Sequence, residues 1–145
     1  MTKTKYGKYF VTDAKAKLNL PNYRHETEEK SGGNSTCMTY LDASVVPGAF
    51  YNECAWFWSA SAPGKAEAEA HTHAFDELVA FFGTNREDPH DLCGEIELWL
   101  EDEKHILTKS FVAFIPAGMK HCPLIVRRVD RPIFHFTVGT GEKYG

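Results

Sequence analysis

The sequence predicts an all-β fold made of short strands. Runs rich in aromatic and β-branched residues recur along the chain, and turn-forming residues separate them, as at Val46-Pro47-Gly48. In the clearest run, Gly94 to Leu100, the apolar residues Ile96, Leu98 and Leu100 alternate with Glu95 and Glu97, as in a strand with one buried face. With 145 residues, 43% of them hydrophobic, the chain is expected to form one domain over residues 1–145 with a real core.

The first half of the chain is expected to contain four strands. Residues 6–11 (Tyr6 to Val11) combine aromatic and β-branched residues and predict the first strand, whereas the polar stretch 19–34 with its Gly32-Gly33 pair predicts a loop. The next strands are expected at 36–41, 50–60 and 77–82. In the strand at 50–60, alternation places Cys54, Trp56, Trp58 and Ala60 on one face and Tyr51, Glu53 and Phe57 on the other.

The second half of the chain predicts five more strands. A loop over 85–91 precedes the strand at 94–100, whose Ile96, Leu98 and Leu100 should face the core while Glu95 and Glu97 face outward. The remaining strands are expected at 105–107, 111–115, 124–129 and 133–138. No internal repeat or linker interrupts this series, so one unit of structure is expected.

Composition excludes several classes of function. A net charge of −4 and an isoelectric point near 6.0, with no basic stripe, argue against a nucleic-acid surface. No apolar run approaches the roughly 18 residues of a membrane span, and no apolar segment follows the basic N-terminus as in a signal peptide. The four cysteines show no C-x-x-C pair, which predicts reduced thiols in a soluble cytoplasmic protein.

Two histidines separated by one residue, His71 and His73, suggest a metal site. On a strand both side chains point to the same face, roughly 7 Å apart along the chain, whereas on a helix they would diverge by about 200°. Glu77 has the same strand parity, but a straight strand would place it roughly 20 Å from His71. We therefore expect the chain to turn at Ala74-Phe75-Asp76 so that Glu77 returns to the two histidines.

A third histidine is expected to join them from about forty residues further along. Pro116 presets φ and Gly118 can adopt a positive φ, so residues 116–119 predict a tight turn that places His121 at the start of a strand. Three imidazoles and one carboxylate suit one divalent ion, Fe, Mn, Ni, Zn or Cu, and leave two positions of an octahedral ion open for water or substrate. Cys122 should face away from His121 by alternation, as a packing residue.

These residues resemble the two motifs of the cupin superfamily. The first motif is Gly, a spacer, His-x-His, a spacer, Glu, a spacer and Gly, and the residues that match it, with the outer spacers one residue off, are Gly64, His71, His73, Glu77 and Gly83. The second motif, Gly-x5-Pro-x-Gly-x-x-His, is matched by Pro116, Gly118 and His121, although Ser110 stands where the family usually has glycine. The family's usual Asn after this motif is absent, and neither departure touches a ligand position.

The resemblance implies a fold, a cofactor and a class of activity. It implies a small antiparallel β-barrel or jelly roll with the metal bound inside by the three histidines and the glutamate. A metal-dependent enzyme acting on a small oxygenated metabolite, possible reactions being dioxygenation, isomerisation and decarboxylation, is the favoured function. A small-molecule-binding module without catalysis and a storage protein are the alternatives, since some cupins have lost metal and activity.

Four further residues are candidates for the pocket. Trp56 and Trp58 are expected either to form an aromatic wall for the substrate or to pack in the core. Arg127 shares parity with His121 if Pro123 preserves the alternation, and an inward arginine would bind an anionic group of the substrate. His135 either faces the metal as a catalytic acid or base, or faces away as an ordinary sheet histidine.

Two expectations concern the surface. His25, His90 and His105 lie in polar segments or beside charged residues and are expected to be exposed. The apolar and aromatic strand at Tyr6 to Val11 lies outside the motifs, and edge strands need a partner or a cover. We therefore expect a homodimer, as the resemblance also implies, with this strand adding to the partner's sheet, or alternatively folding back on its own barrel.

Overall fold

The fold is all-β, as the sequence predicts. The computed structural model describes residues 4–14 and 33–142, so most of the predicted loop at 19–34, including His25, lies outside the described residues. Within the described residues there is no helix long and apolar enough to cross a membrane. The strands are β1 (Ser35–Leu41), β2 (Tyr51–Phe57), β3 (Glu77–Phe82), β4 (Asp91–Leu100), β5 (Glu103–Lys109), β6 (Phe111–Ile115), β7 (His121–Val129) and β8 (Ile133–Gly139).

The strands form two antiparallel sheets. One sheet has the order β1-β2-β8-β3-β6 and the other has the order β5-β4-β7. The large sheet brings distant parts of the chain together, because β8 pairs with both β2 and β3 and places Glu77 opposite Gly139. The small sheet is a hairpin of β4 and β5 with β7 added on the other side of β4.

The core lies between the two sheets. Alternation along β2 buries Tyr51, Glu53, Ala55 and Phe57 and leaves the intervening residues only partly buried. Phe57, Phe81 and Ile133 from the large sheet pack with Ile96 and Val126 from the small sheet in one buried cluster. Burying a large apolar side chain contributes about 1.5–3 kcal/mol, so this cluster is the main source of stability.

The predicted first strand at residues 6–11 is wrong. Gly7–Tyr9 form a short 3₁₀ helix instead, and Tyr6, Tyr9 and Phe10 are exposed. The backbone amide of Tyr40 in β1 donates to the carbonyl of Asp13 at 3.2 Å, so this segment reaches the edge of its own sheet. Aromatic and β-branched composition favours a strand, but a strand also needs a neighbour to satisfy its backbone groups.

The segment before β3 extends the small sheet. His71 and His121 exchange two backbone hydrogen bonds of 3.0 Å. Ala68 pairs with Leu124 in the same antiparallel direction, so this segment lies beside β7. The chain then bends at residues 74–75 and enters β3 at Glu77, which confirms the predicted turn. The two predicted motif segments therefore lie side by side.

Candidate metal centre

Three features of the backbone bring the predicted ligands together. His71 and His121 are paired directly across the bridge between the 68–71 segment and β7. Gly118 has a φ of +84°, and the amide of Met119 donates to the carbonyl of Pro116 at 3.1 Å, so the predicted tight turn delivers His121 to the first position of β7. This turn is also tied to the first motif segment, because Gly118 donates its amide proton to the carbonyl of His73 at 2.8 Å.

The four predicted ligand side chains converge. Nε2 of His71 lies 3.0 Å from Nε2 of His73, and Oε1 of Glu77 lies 3.1 Å from Nε2 of His121 and 3.8 Å from Nε2 of His73. The ligand atoms of His73, Glu77 and His121 all lie within 4.8 Å of one another, and these three residues are buried. His71 is only half-buried and completes the group at its outer side.

Two backbone carbonyls orient the histidine rings. Nδ1 of His71 lies 2.6 Å from the carbonyl oxygen of Glu69, and Nδ1 of His121 lies 2.9 Å from that of Met119. A carbonyl only accepts, so each ring must donate its Nδ1 proton. In the neutral ring the lone pair is then on Nε2, the nitrogen that faces the other ligands. Such contacts are how metal-binding histidines are usually held in the required tautomer.

The donor set fits a divalent metal ion. Ligands about 2.1 Å from an octahedral ion and at right angles to each other lie about 3 Å apart, which matches the distances of 3.0 and 3.1 Å. Nε2 of His121 is buried and has no hydrogen-bond partner within the described part of the chain, although Oε1 of Glu77 is close. A cation beside this nitrogen would interact with its lone pair and so stabilise the buried, otherwise unpaired acceptor.

Cys122 is closer to the ligands than the sequence suggested. Its Sγ lies within 4.8 Å of ligand atoms of His71 and His121, and the residue is also part of the buried core. Its φ is +73° and the Cys122–Pro123 peptide is cis. Strict alternation requires extended residues, so the expectation that Cys122 faces away from His121 is wrong. Cys122 is buried in the core as expected, and its assignment as a packing residue rather than a ligand stays a prediction.

A cavity between the sheets opens onto these ligands. Its volume is about 40 Å³, and about 10–15 Å³ is enough to hold one water molecule. Its wall combines His71, Glu77 and His121 with polar groups of the large sheet and with apolar side chains such as Phe57 and Leu98. Without rearrangement, the cavity has room for a ligand of only a few non-hydrogen atoms.

His135 lines this cavity and does not face away from it. Its Nδ1 lies 2.9 Å from the carbonyl of Ala80, so in the neutral ring Nε2 carries the lone pair. The ring stacks on Phe81 with centroids 4.2 Å apart and meets Phe57 edge to face. Of the two predicted placements, the structure selects the one on the metal side of the sheet.

Trp56 and Trp58 are placed away from the cavity, which corrects the predicted aromatic wall. They stack with centroids 5.8 Å apart on the outer side of the large sheet, and Trp56 also meets Phe134 at 5.2 Å. The cavity is lined by Tyr51 and Phe57, which lie on the other face of β2. The alternation was predicted correctly, but one strand alone does not tell which of its faces is buried.

Arg127 also points outward, which corrects its predicted role. Its guanidinium donates to Glu95 and Glu97 at 2.8 Å each on the outer face of the small sheet. The hydrogen bonds that Arg127 donates, to Glu97 first and then to Glu95, raise its pKa. The condition attached to the prediction fails, because the backbone at Cys122 and Pro123 changes the alternation before Arg127 is reached.

Two structural residues connect the motifs in ways the sequence did not indicate. A Cβ at Gly83 would collide with the backbone carbonyl of Asp91, which explains the glycine at the end of β3. Ser110, where the family usually has glycine, accepts a hydrogen bond from the Gly83 amide at 2.9 Å and donates to the carbonyl of Pro89 at 2.7 Å. Ser110, the residue that departs from the motif, therefore links the end of β3 and the start of β6 to the loop between β3 and β4.

A second buried carboxylate was missed. Glu67 lines the cavity, and only 5% of its surface is exposed. It precedes His71 by four residues, so its strand parity could have indicated the same face, but a glutamate between alanines gave no other signal. His90 and His105 are exposed as predicted.

Comparison with solved structures shows the fold. A structure of oxalate oxidase in complex with glycolate is matched at a TM-score of 0.53 and 13% identity, over 87% of this chain and 61% of that chain. A second oxalate oxidase structure is matched at 0.53 and 14% identity, over 88% of this chain and 61% of that chain. A cupin protein from Bacteroides fragilis is matched at 0.44 and 15% identity, over 84% and 86% of the two chains.

The similarity is structural and does not extend to sequence. No family model and no curated protein matches the chain. The matched region spans about three fifths of the oxalate oxidase chains, 61% in each case. Two antiparallel sheets, a cavity between them and the likeness to these enzymes lead to one conclusion: the chain is a small cupin-fold domain.

Proposed function

We propose that this protein is a metal-dependent enzyme that acts on a small oxygenated metabolite. The observation that supports the proposal is the convergence of His71, His73, Glu77 and His121 at the wall of a small cavity. A structural metal site is usually closed, whereas a catalytic site keeps positions open toward a cavity. A divalent transition metal, Fe, Mn, Ni, Zn or Cu, bound there would supply a Lewis acid or an activator of oxygen.

The other residues of the cavity have roles that follow from their contacts. His135 donates its Nδ1 proton to the carbonyl of Ala80, so Nε2 would be the nitrogen that accepts a proton and returns it. The hydroxyl of Tyr51 lies 2.7 Å from that of Thr137 and donates to Glu53 at 2.8 Å. Tyr51 and Thr137 line the same cavity, and their hydroxyl groups would orient polar groups of a ligand.

Size limits the substrate more strongly than the fold does. The cavity has room for only a few non-hydrogen atoms, which favours a compact metabolite with two or three carbons and several oxygens. Oxalate oxidase, the matched enzyme, is named for a molecule of that size. The similarity of 13% identity does not choose between oxidation, isomerisation and decarboxylation.

Metal content is the first test. Protein purified without chelator is expected to contain one divalent transition metal per chain by elemental analysis. His73→Ala and His121→Ala should each lose most of the metal, while the control His90→Ala, on an exposed loop residue, should keep it. Full occupancy in both site variants would contradict the assignment.

Turnover is the second test. An oxygen-consumption trace with panels of small diketones and small hydroxy acids separates oxygen-dependent from redox-neutral chemistry, and product analysis covers the latter. His135→Ala should keep the metal and lose turnover, because its ring lines the cavity without belonging to the ligand set. Metal binding without turnover of any panel member would favour the alternative, a small-molecule-binding protein without catalysis.

A further inference from the structure

The buried carboxylate of Glu67 is held in one orientation. Its Oε2 accepts hydrogen bonds from Nδ2 of Asn34 at 2.7 Å and from the hydroxyl of Ser61 at 2.6 Å. Ser61 is itself fixed, because its Oγ accepts the amide proton of Val126 at 2.9 Å. Since both donors come from outside the segment that carries Glu67, the carboxylate is oriented by the surrounding fold.

The second oxygen of this carboxylate has no such support. Oε1 is buried and has no hydrogen-bond partner within the described residues, while Glu67 lines the same cavity as His71 and His121. A buried carboxylate oxygen without a donor is unfavourable, because it has lost its hydrogen bonds to water and gained none in return. A ligand that brings a donor into the cavity would remove this penalty.

The charges around the cavity favour a ligand without negative charge. Glu67 and Glu77 are the acidic residues of its lining, and no lysine or arginine is among its described lining residues. Arg127, the cation expected there, is instead paired with Glu95 and Glu97 outside. A divalent ion would balance the two carboxylates, so an anionic ligand would leave an uncompensated charge in a buried site.

We propose that Glu67 determines specificity by accepting a hydrogen bond from a hydroxyl group of an uncharged ligand in the cavity and by rejecting carboxylate ligands. The proposal rests on the proposed function, because it requires the ligand to bind beside the metal held by the four ligands. It distinguishes this cavity from one that binds an acid such as oxalate. No bond is made or broken in this step.

The test compares two probes with the same two-carbon frame. Ethane-1,2-diol supplies hydroxyl donors without charge, and oxalate supplies carboxylates. Each is titrated into the cobalt(II)-loaded full-length protein, and the change in the visible absorption of cobalt gives the affinity. Cobalt content is measured first by elemental analysis, so a failure of metal binding is recognised separately from a failure of the proposal.

Substitution of Glu67 should move the two affinities in opposite directions. Glu67→Gln is expected to bind oxalate about tenfold more tightly, because one buried negative charge is removed, and to bind the diol several-fold more weakly. Glu67→Asp keeps the charge but withdraws the oxygen, so it should weaken diol binding and leave oxalate affinity within about twofold. The control Glu87→Gln removes the same charge from an exposed loop residue and should change neither affinity.

Four results would overturn the proposal. Unchanged affinities in a cobalt-loaded Glu67→Gln protein exclude Glu67 as a selective group. A loss of affinity for both probes in that variant means that Glu67 only supports the structure. If Glu67→Gln does not fold, Glu67→Asp decides the question, since diol affinity equal to that of the parent protein excludes the contact. A parent protein that retains no cobalt overturns the proposed function, and this proposal with it.

Discussion

Cys122 shows how a single backbone conformation changes the composition of a site. Its positive φ turns the thiol toward His71 and His121. The pairing of β7 with β4 also shifts register between Leu98 and Leu100, so the next residues of β7 follow the opposite alternation from the one expected. Both corrections on this strand, the proximity of Cys122 and the outward direction of Arg127, come from this stretch of backbone. A lone X-Pro pair in a sequence does not reveal it.

Replacement of Cys122 by alanine should leave the metal bound. The thiol is near two ligand nitrogens, but three imidazoles and a carboxylate already supply four ligands. Loss of one buried heavy atom should lower the free energy of unfolding by about 1 kcal/mol. Metal content from elemental analysis and a urea titration check the two parts, and metal loss as large as that of His121→Ala would show that sulfur is a ligand.

Glu97 should make the protein sensitive to acid. Hydrogen bonds from the indole N–H of Trp99 and from Arg127, 2.8 Å each, hold the pKa of its carboxyl below the ordinary value of 4.5. A carboxyl with a lowered pKa in the folded state contributes stability that is fully present above its unfolded pKa. That contribution is lost as the pH falls below 4.5 and through the lower pKa of the folded state.

The variant Glu97→Gln isolates this contribution. At pH 7 it should unfold at a lower urea concentration than the parent protein, and the difference should shrink as the pH falls below 4.5 and Glu97 of the parent becomes protonated. Glu87→Gln, on an exposed loop, serves as the control. Its difference from the parent protein in unfolding urea concentration should not change with pH. A Glu97→Gln deficit that is independent of pH would show that packing, and not charge, is responsible.

At the scale of elements, the bounds of three strands were predicted well. The bounds of β3 and β6 were predicted to the residue, and those of β8 to within one residue. β2 was predicted too long, because the amide of Trp58 donates to the carbonyl of Asn34 at 2.8 Å after the pairing with β8 ends. Alternation reports a strand's two faces, but strand ends depend on partners elsewhere in the chain.

The candidate site was predictable to a similar extent. The four ligands were identified because their spacing is local and their motifs resemble a known pattern. Glu67 was missed and Trp56 misplaced because the face of a strand that is buried depends on the second sheet, which the sequence of one strand does not contain. The outward direction of Arg127 could not be predicted, because it depends on the backbone conformation at Cys122, five positions earlier.

The two hydrogen bonds of Ser110 should stabilise the contact between the end of β3 and the start of β6. Ser110→Ala removes the acceptor of the Gly83 amide and the donor to Pro89, so the free energy of unfolding should fall by about 1–2 kcal/mol. Ser59→Ala, at an exposed position, is the matched control with little effect. Equal urea midpoints for the two variants would show that this contact is not needed for stability.

At the scale of the whole molecule, the outer face of the large sheet is apolar. Trp58, Phe82, Val112 and Phe114 are each at least 36% exposed, and β6 is the last strand of its sheet. Exposed apolar patches and open sheet edges are typical of interaction surfaces. The homodimer predicted from the sequence therefore has a candidate contact here, whereas the proposed N-terminal strand is not formed.

The homodimer remains a prediction, and light scattering tests it. A mass near twice 16.4 kDa is expected at micromolar concentration, and Phe114→Glu should reduce it to that of the monomer. Phe10→Glu, which changes an exposed phenylalanine of the N-terminal segment, and deletion of residues 1–12 should leave the dimer intact. A monomeric parent protein would exclude the assembly, and a monomer after the deletion alone would return the contact to the N-terminus.

The backbone carbonyls that hold the rings of His71 and His121 have a consequence for how fast the protein can take up its ion. Because Glu69 and Met119 fix both rings by local hydrogen bonds, the proton on each ring is already on the nitrogen remote from the ion. Loading therefore requires neither a ring flip nor a tautomeric exchange at these two positions. Nitrogen-15 spectra of chelator-treated protein should show both rings protonated at Nδ1 before any ion is added.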